Sequence, residues 1–565
     1  MAIAGLGASL VGNACSLTLS FDECSSDNDC VFASGNGSCD NGVCVFDDGA
    51  DEATGTSSDT ADTESDTADT ESDTADTGTE TGTTLCSTHT ECVAAHTENW
   101  LCGCAGECIE ALTPECQIIK WPDDTPQDNV VFVGSIMPTS PPFDSLVLPI
   151  QNAMQLAFED FNDETQLADG QKIAWVGCDS QGGSAAVTAA HHLVDEICVP
   201  AIVGPVFSES VIAVAEEVTV PGGVFLISPT ATSKKITSLV DDDLVWRPIT
   251  SDVYQANAIA DRVDELVQDG DNVVIVHKSD LYGNDLATDA YAVMPGVDVT
   301  DVFEYEVTAD SAAPIADVED HIANTLFTDG GANPPEVIVL IGTSEVAAFV
   351  LGYFQAASVM QPPPYPRFVL SHGAVPSMPT TIKHESVIDN DSAQLLLYGS
   401  LEGIAPIIFD EQNFAAFNTR YMVKFQDQDA ITTSSLSYDA ALVTLFAAAA
   451  IGAGEPVTGA NIAAQLTAGK LTDPDGTFIS FGPSIDTTFI KTAVNALTTG
   501  GGTVDLKGVS GELDFDLTTG ELRTNYLGWE PVAINDNLDN PTIASERLYT
   551  LNPAPAEDGN WTELP

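Results

Sequence analysis

The sequence predicts an α/β protein with two successive lobes, each a parallel sheet covered by helices on both faces. Three observations lead there. From residue 129 onward, apolar runs of strand length alternate with runs of helical spacing. The strand runs, such as "NVVFVGSIM" at 129–137, are apolar throughout, as strands buried on both faces are. The alternation restarts near Ser251 as a second series and ends in a return segment, the layout of a hinged two-lobe protein.

In the first series, "NVVFVGSIM" is followed by helical spacing in "PIQNAMQLAFEDFN" (149–162). "KIAWVGC" and "SAAVTAAHHLVDEI" repeat the pattern, then "AIVG" and "SESVIAVAEEV", then the strand "GVFLIS". The second series places helices at "YQANAIADRVDELV", "LYGNDLATDAYAVM", "PIADVEDHIANTLF" (314–327) and "SEVAAFVLGYFQAA". Its strands are "NVVIVH", "VTDVFEYEV", "EVIVLIG" and "RFVLS". Helices are expected at 411–426, 436–452 and 458–467, with short strands and turns beyond them. The most apolar stretch, "AALVTLFAAAAIGAG" at 440–454, is shorter than the roughly 18 apolar residues of a membrane span and has no basic flanks. It reads as a buried core helix.

The balance of 16 Lys+Arg against 86 Asp+Glu, net −70, repels phosphate backbones and anionic headgroups. Nucleic acid and direct membrane adhesion are therefore excluded as partners, and solubility is the plain meaning of the charge. No basic residue precedes Lys120, so the chain has two compositional halves.

The 13 cysteines mark the first half. Cys24, Cys30, Cys39 and Cys44 form one group, and Cys86, Cys92, Cys102, Cys104, Cys108 and Cys116 another. Even-numbered, short-spaced groups in polar surroundings suggest small disulfide-stapled modules in an oxidising compartment. Metal binding is the rival, since "CGCAGEC" at 102–108 is thiolate-dense. No His stands at zinc-finger spacing and no C-x2-C pair occurs, so no metal site or cofactor is assigned. Cys178 and Cys198 stand at opposite ends of a strand–helix unit, beyond the roughly 7 Å reach of a bridge, so both are expected to be free thiols.

"MAIAGLGASLVGNAC" resembles the tail of a bacterial lipoprotein signal, with Cys15 the lipidated residue and a lipid anchor to the membrane as the consequence. Gly12 stands where leucine is usual, and a positive n-region is missing. Residues 58–78 repeat "SDTADTE" with no apolar position, so neither a coiled coil nor a core can form. A disordered acidic spacer is expected over 46–85.

The ordered part resembles a known family: the type I periplasmic solute-binding proteins, in the Leu/Ile/Val-binding branch. "VVFVGSIMPTS" with "NAMQLAFEDFN" is similar to the family's opening strand, loop and helix. "AIVGPVFSES" with "VFLISPTATS" is similar to its ligand loops. "VVIVHKSDLYGND" is similar to the start of its second lobe, "SYDAALVTLFAAA" to its return helix, and "GVSGELDFDLTTGEL" to its closing turn. The resemblance implies a two-lobe fold with a three-stranded hinge over 121–540. One lobe would be about 129–250 plus 372–480, the other about 251–371 plus 481–540. Before it come a signal-like segment (1–15), a Cys-rich module (16–45), the spacer (46–85) and a second Cys-rich module (86–120). A C-terminal tail (541–565) follows. The implied function is extracytoplasmic capture of a small carboxylate-bearing, amino-acid-like solute, delivered to an ABC transporter permease. The alternative is a ligand-sensing or surface interaction lipoprotein on the same fold.

"AIVGPVFSES" is a strand-to-helix corner, and ligands in open parallel sheets sit at such corners. Ser208 is placed to cap the helix and to donate to an anionic group. With Phe207 and the second corner, Thr230, Ala231 and Thr232, it forms the ligand set that the resemblance implies for a carboxylate. From the second lobe come Tyr282, which would close over the ligand, Ser344 and His372. His372 stands where an amino-acid binder of this branch carries an acid for the ligand ammonium. The far end of the ligand is therefore expected not to be a bare ammonium, and binding to strengthen as pH falls through the imidazole range. Glu345 lies next to Ser344.

An enzyme reading finds no support. There is no G-x-S-x-G elbow, H-E-x-x-H or Walker loop, and no G-x-G-x-x-G between strand and helix. His191, His192, Asp195 and Glu196 share one helix and read as solvated side chains.

Overall fold

The computed structural model describes residues 31–32, 35–36, 38–40, 43–45, 85–141, 143–268, 271–294, 296–306, 335–358, 366–389, 391–426, 428–534, 538 and 540–564. Contacts divide the chain into Met1–Glu80 and Thr81–Pro565. In the first unit two short antiparallel pairs are described, Val31–Phe32 with Gly35–Asn36 and Ser38–Asp40 with Val43–Val45. Cys15, residues 46–84 of the spacer and the expected helix at 314–327 lie outside the described residues.

The second unit holds two large sheets. Across the first the order is Val245–Trp246, Phe225–Ile227, Ala201–Val203, Val130–Met137, Lys172–Asp179, Cys116–Lys120. All neighbours are parallel except the last pair. Successive strand side chains point to opposite faces. Val131 and Val133 thus join the cluster under helices Asp144–Glu164 and Ser434–Ala449, while Phe132 and Ile136 join the one beneath Ala186–His191. Helix Ser434–Ala449 is buried along its whole length, as its sequence suggested, because it packs between the sheet and the helices around it. No helix among the described residues is long and apolar enough to cross a membrane.

The second sheet runs Asp298–Tyr305, Asn272–Lys278, Val337–Ile341, Arg367–Leu370, Leu401–Pro406, Tyr526–Ala533, Pro541–Leu551, Gly559–Glu563. Its first five strands are parallel and the last three antiparallel. Three segments cross between lobes as the hinge, at 247–251, 406–410 and 521–526. Arg247 N donates to Gly520 O and Ile407 N to Asn525 O, each at 2.9 Å.

The segments divide between lobes differently from the expectation. Residues 372–406 go with the second lobe: Ala374, Met378, Ile382 and Leu397 pack with Ile338 and Leu340, and 401–406 is a strand of that sheet. Residues 481–522 go with the first, where Phe481, Ile490, Leu497 and Leu522 pack with helix Ser434–Ala449. The expected tail supplies two strands, Pro541–Leu551 and Gly559–Glu563.

The cysteine reading is corrected too. Cys86 bridges Cys102 and Cys92 bridges Cys108, but Cys104 bridges Cys198 and Cys116 bridges Cys178. Cys178 and Cys198 do not pair with each other, as the topology argued, yet neither is free. Strand Cys116–Lys120 lies antiparallel beside Lys172–Asp179 and sets Cys116 opposite Cys178, with Cα atoms 3.8 Å apart. Cys198 caps its helix in the left-handed region (φ 64°), and Cys104 lies with its Cα 5.7 Å away. The thiolate-dense "CGCAGEC" thus belongs to three different bridges.

Candidate ligand-binding site

Between the lobes lies a cavity of about 540 Å³. The corner read from the sequence forms part of its floor. Gly204 has φ 106°, and a Cβ there would fall 2.3 Å from Ile136 O, so only glycine lets strand Ala201–Val203 turn so close to its neighbour. Thr230 Oγ1 donates to Val206 O at 2.9 Å, tying the two first-lobe loops together. Ser208 is not the helix cap: Phe207 holds that position without a side-chain bond. Ser208 Oγ instead accepts from Ser233 N at 3.2 Å, which leaves its hydroxyl hydrogen to donate into the cavity.

A hinge arginine holds this loop from behind. Arg247, 1 % exposed, donates through Nη1 to Ala231 O and Ser233 O, both at 3.0 Å, and through Nε to Glu521 at 3.0 Å. Beside it Asp252 N donates to Thr232 O at 2.9 Å. Burial pushes the Asp252 carboxyl up to about 7, against the pull of the Thr232 hydroxyl and the Arg247 guanidinium. Across the lobe junction Ser233 Oγ donates to Asp285 at 2.7 Å, Lys235 pairs with Asp285 at 3.1 Å, and Lys234 pairs with Asp289.

From the second lobe, Tyr282 OH donates to Ser371 Oγ at 2.9 Å, and its ring meets His372 edge-on at 5.2 Å. The glycine after it is obligatory, because a Cβ on Gly283 would fall 2.2 Å from Lys278 O. Gln255 Nε2 donates to Ile404 O at 2.8 Å, which turns Gln255 Oε1 toward His372 Nδ1 at 2.7 Å. Nδ1 therefore carries the hydrogen and Nε2 is an acceptor. Burial holds the imidazole down to about 4. The expected titration of His372 in the imidazole range, and its role as a donor to the ligand, are both overturned: the ring is neutral well below pH 6 and offers a lone pair.

Of the eight residues expected at the site, Phe207, Ser208, Thr230, Thr232, Tyr282 and His372 line the cavity. Ala231 is buried behind it, and Ser344 is exposed outside it, with Thr343 lining in its place. Among the lining residues that were missed, two groups stand out. Phe143, Leu146, Val147 and Ile150 form an apolar wall, with Phe143 and Phe207 edge-on at 5.1 Å. Pro149 was taken as the start of a helix, but the helix begins at Asp144 and runs through it, bringing this turn to the cavity. Lys278 and Asp280 stand in "HKSDLYG" beside Tyr282, and their ion pair spans 2.8 Å. Glu345 faces elsewhere, accepting from Thr343 N at 2.8 Å, Thr343 Oγ1 at 2.6 Å and Tyr305 OH at 2.8 Å. Outside the cavity, His192 is buried and not solvated as expected: Nε2 lies 3.0 Å from Ala111 O beneath the 85–120 module.

The family model described as periplasmic binding protein matches residues 130–350. Among solved structures, a branched-chain amino acid transporter substrate-binding protein from Streptococcus pneumoniae, in complex with isoleucine, is 17% identical. It covers 74% of this chain and 99% of that one, with a TM-score of 0.51. An ABC transporter substrate-binding protein from Desulfitobacterium hafniense, in complex with Leu, is 17% identical over 73% of this chain and 99% of that one, at 0.48. A solute-binding protein of an ABC transporter from Rhodopseudomonas palustris BisB5, in complex with 3,4-dihydroxybenzoic acid, is 15% identical over 74% of this chain and 96% of that one, at 0.49. No curated protein matches.

Proposed function

We propose that this chain, whose residues 130–350 match the family model described as periplasmic binding protein, captures a small, carboxylate-bearing, amino-acid-like solute between its lobes and delivers it to an ABC transporter permease. The observation that carries the reading is convergence. Six residues from separate loops of both lobes line one cavity of about 540 Å³, within the range of small-molecule sites. The Ser208 hydroxyl and the backbone around the two corners would hold the carboxylate, and the apolar wall at Phe143–Ile150 would take the rest of the solute. The four disulfides among the described residues fit an oxidising, extracytoplasmic compartment. A lipid on Cys15 would anchor the chain to the membrane.

One observation favours sensing over transport: the 86–120 module is bonded covalently to the first lobe through Cys104–Cys198 and Cys116–Cys178. Genes for a permease and a transport ATPase beside this one would favour transport. The binding role itself is tested by a thermal-shift screen of the full chain against amino acids, other carboxylates, sugars and polyamines. Carboxylates should raise Tm by mass action. A shift confined to sugars or polyamines would overturn the reading.

A further inference from the structure

We propose that Asp280 is the group that recognises an amino nitrogen on the ligand, so that the acid missing at position 372 is replaced from a different element. The inference rests on the cleft-binding reading above and goes beyond it by assigning the second end of the solute.

The argument is one of hydrogens. On the second-lobe wall nearly every side-chain hydrogen already has an acceptor within the protein. Tyr282 donates to Ser371, His372 Nδ1 to Gln255 Oε1, and Thr343 Oγ1 to Glu345. The Lys278 ammonium meets Asp280 at 2.8 Å and Thr343 Oγ1 at 3.4 Å, with its side chain only 5 % exposed. This wall therefore presents acceptors: the His372 Nε2 lone pair, the Tyr282 and Thr343 oxygens, and the Asp280 carboxylate. On the first-lobe side Ser208 Oγ accepts from Ser233 N, which leaves its hydroxyl hydrogen for a ligand oxygen, while Glu209 also lines that wall. A solute with its carboxylate toward Ser208 and an ammonium toward Asp280 matches both walls.

Among the described residues, Asp280 is also the second-lobe carboxylate that lines the cavity, with its side chain 30 % exposed. It is fixed before any ligand arrives. Oδ1 accepts from Gly283 N at 2.9 Å and so caps helix Leu281–Ala292, and Oδ2 is held by Lys278. A carboxylate has about four lone-pair sites, so two bonds leave room for an ammonium. Glu345, the other acid nearby, has its oxygens on Thr343 and Tyr305 and does not line the cavity.

The test is calorimetry on the full chain with matched probes: L-phenylalanine against 3-phenylpropanoate, and L-leucine against 4-methylpentanoate. At least one amino acid should bind tenfold or more tighter than its des-amino partner. Asp280→Asn, which keeps a capping side chain, should weaken that amino acid by about 10–100-fold, the loss of a hydrogen bond to a charged group. The des-amino partner should change little, and Asp280→Glu should recover part of the preference. Equal or tighter binding of the des-amino acids by the unmodified chain overturns the assignment of Asp280 while leaving carboxylate capture standing. That comparison needs no variant to fold. Failure of all four probes to bind counts against carboxylate capture itself and takes this assignment with it.

Discussion

Replacing Asp252 by Asn should flatten the pH dependence of stability, and in an unusual direction. Asp252 is 1 % exposed at the start of helix Asp252–Leu266, and its Oδ2 has no hydrogen-bond partner among the described residues. Around it stand Arg247, Thr232, Asp285 and Asp289, with the Tyr282 and Tyr526 hydroxyls close enough to feel its charge. Its carboxyl rises from 3.8 to about 7 on folding. A folded pKa above the unfolded one means that the native state binds the proton more tightly. The stabilisation is complete below about pH 4 and is lost as pH rises through 7. At 1.36 kcal/mol per pKa unit, linkage for this one site makes the protein about 2.6 kcal/mol more stable at pH 5 than at pH 8. Asn copies the protonated shape and does not titrate. Urea unfolding of both proteins at pH 5 and pH 8 should show the variant's pH difference smaller by about 2–3 kcal/mol. Asp160 and Asp439, also raised by burial to about 6 and about 7, are present in both proteins and cancel. An identical pH difference in the two proteins would refute the reasoning.

Four further outcomes are expected. Ser208→Ala should weaken ligand binding by about 1–3 kcal/mol, the cost of a buried ligand oxygen short of a donor, and leave the circular dichroism spectrum unchanged; calorimetry with full affinity retained would move the carboxylate elsewhere. Since His372 titrates near 4, His372→Gln should not alter the pH profile of binding between pH 5.5 and 8, and a profile that changes with the substitution would contradict the fixed tautomer. Non-reducing peptide mapping should recover 104–198 and 116–178 crosslinks, and a 178–198 crosslink would contradict the sheet order. Limited proteolysis without reductant should cut first within 46–85, as the apolar-free repeat argues, and leave a fragment that still contains Cys86; early cutting inside 130–306 would count against the spacer.

Much of the fold was legible because buried parallel strands declare themselves. "VVFVG", "KIAWVG", "VVIV" and "VIVLI" each became a strand of the expected sheet. What was not legible was where the chain crosses between lobes. Residues 372–406 and 481–522 have the same α/β texture as their neighbours, and only packing against Ile338 or against Ser434–Ala449 decides their lobe. The bridges of Cys104 and Cys116 hid for a similar reason. Their partners lie 94 and 62 residues away, and parity within each group favoured local pairing. At the site, "AIVGPVFSES" was legible as a strand-to-helix corner, while Ser208, Thr230 and Thr232 as ligand residues came from the resemblance; all three line the cavity. Asp280 was missed because nothing local tells an acid that caps a helix from one that also faces a cavity.

The two bridges that join 86–120 to the first lobe have a mechanical meaning. Cys104 fastens to one end of strand–helix unit 172–198 and Cys116 to the other. The leading segment is thus bolted at two points to a single rigid body and cannot swivel about a single joint. The second lobe is reached covalently through the three hinge strands alone. A partner that grips residues 86–120 would grip the first lobe as a stator, and leave the second as the arm free to turn about the hinge. A partner reading occupancy from a fixed mount would register the angle of that arm, and Asp280 and His372 ride on it.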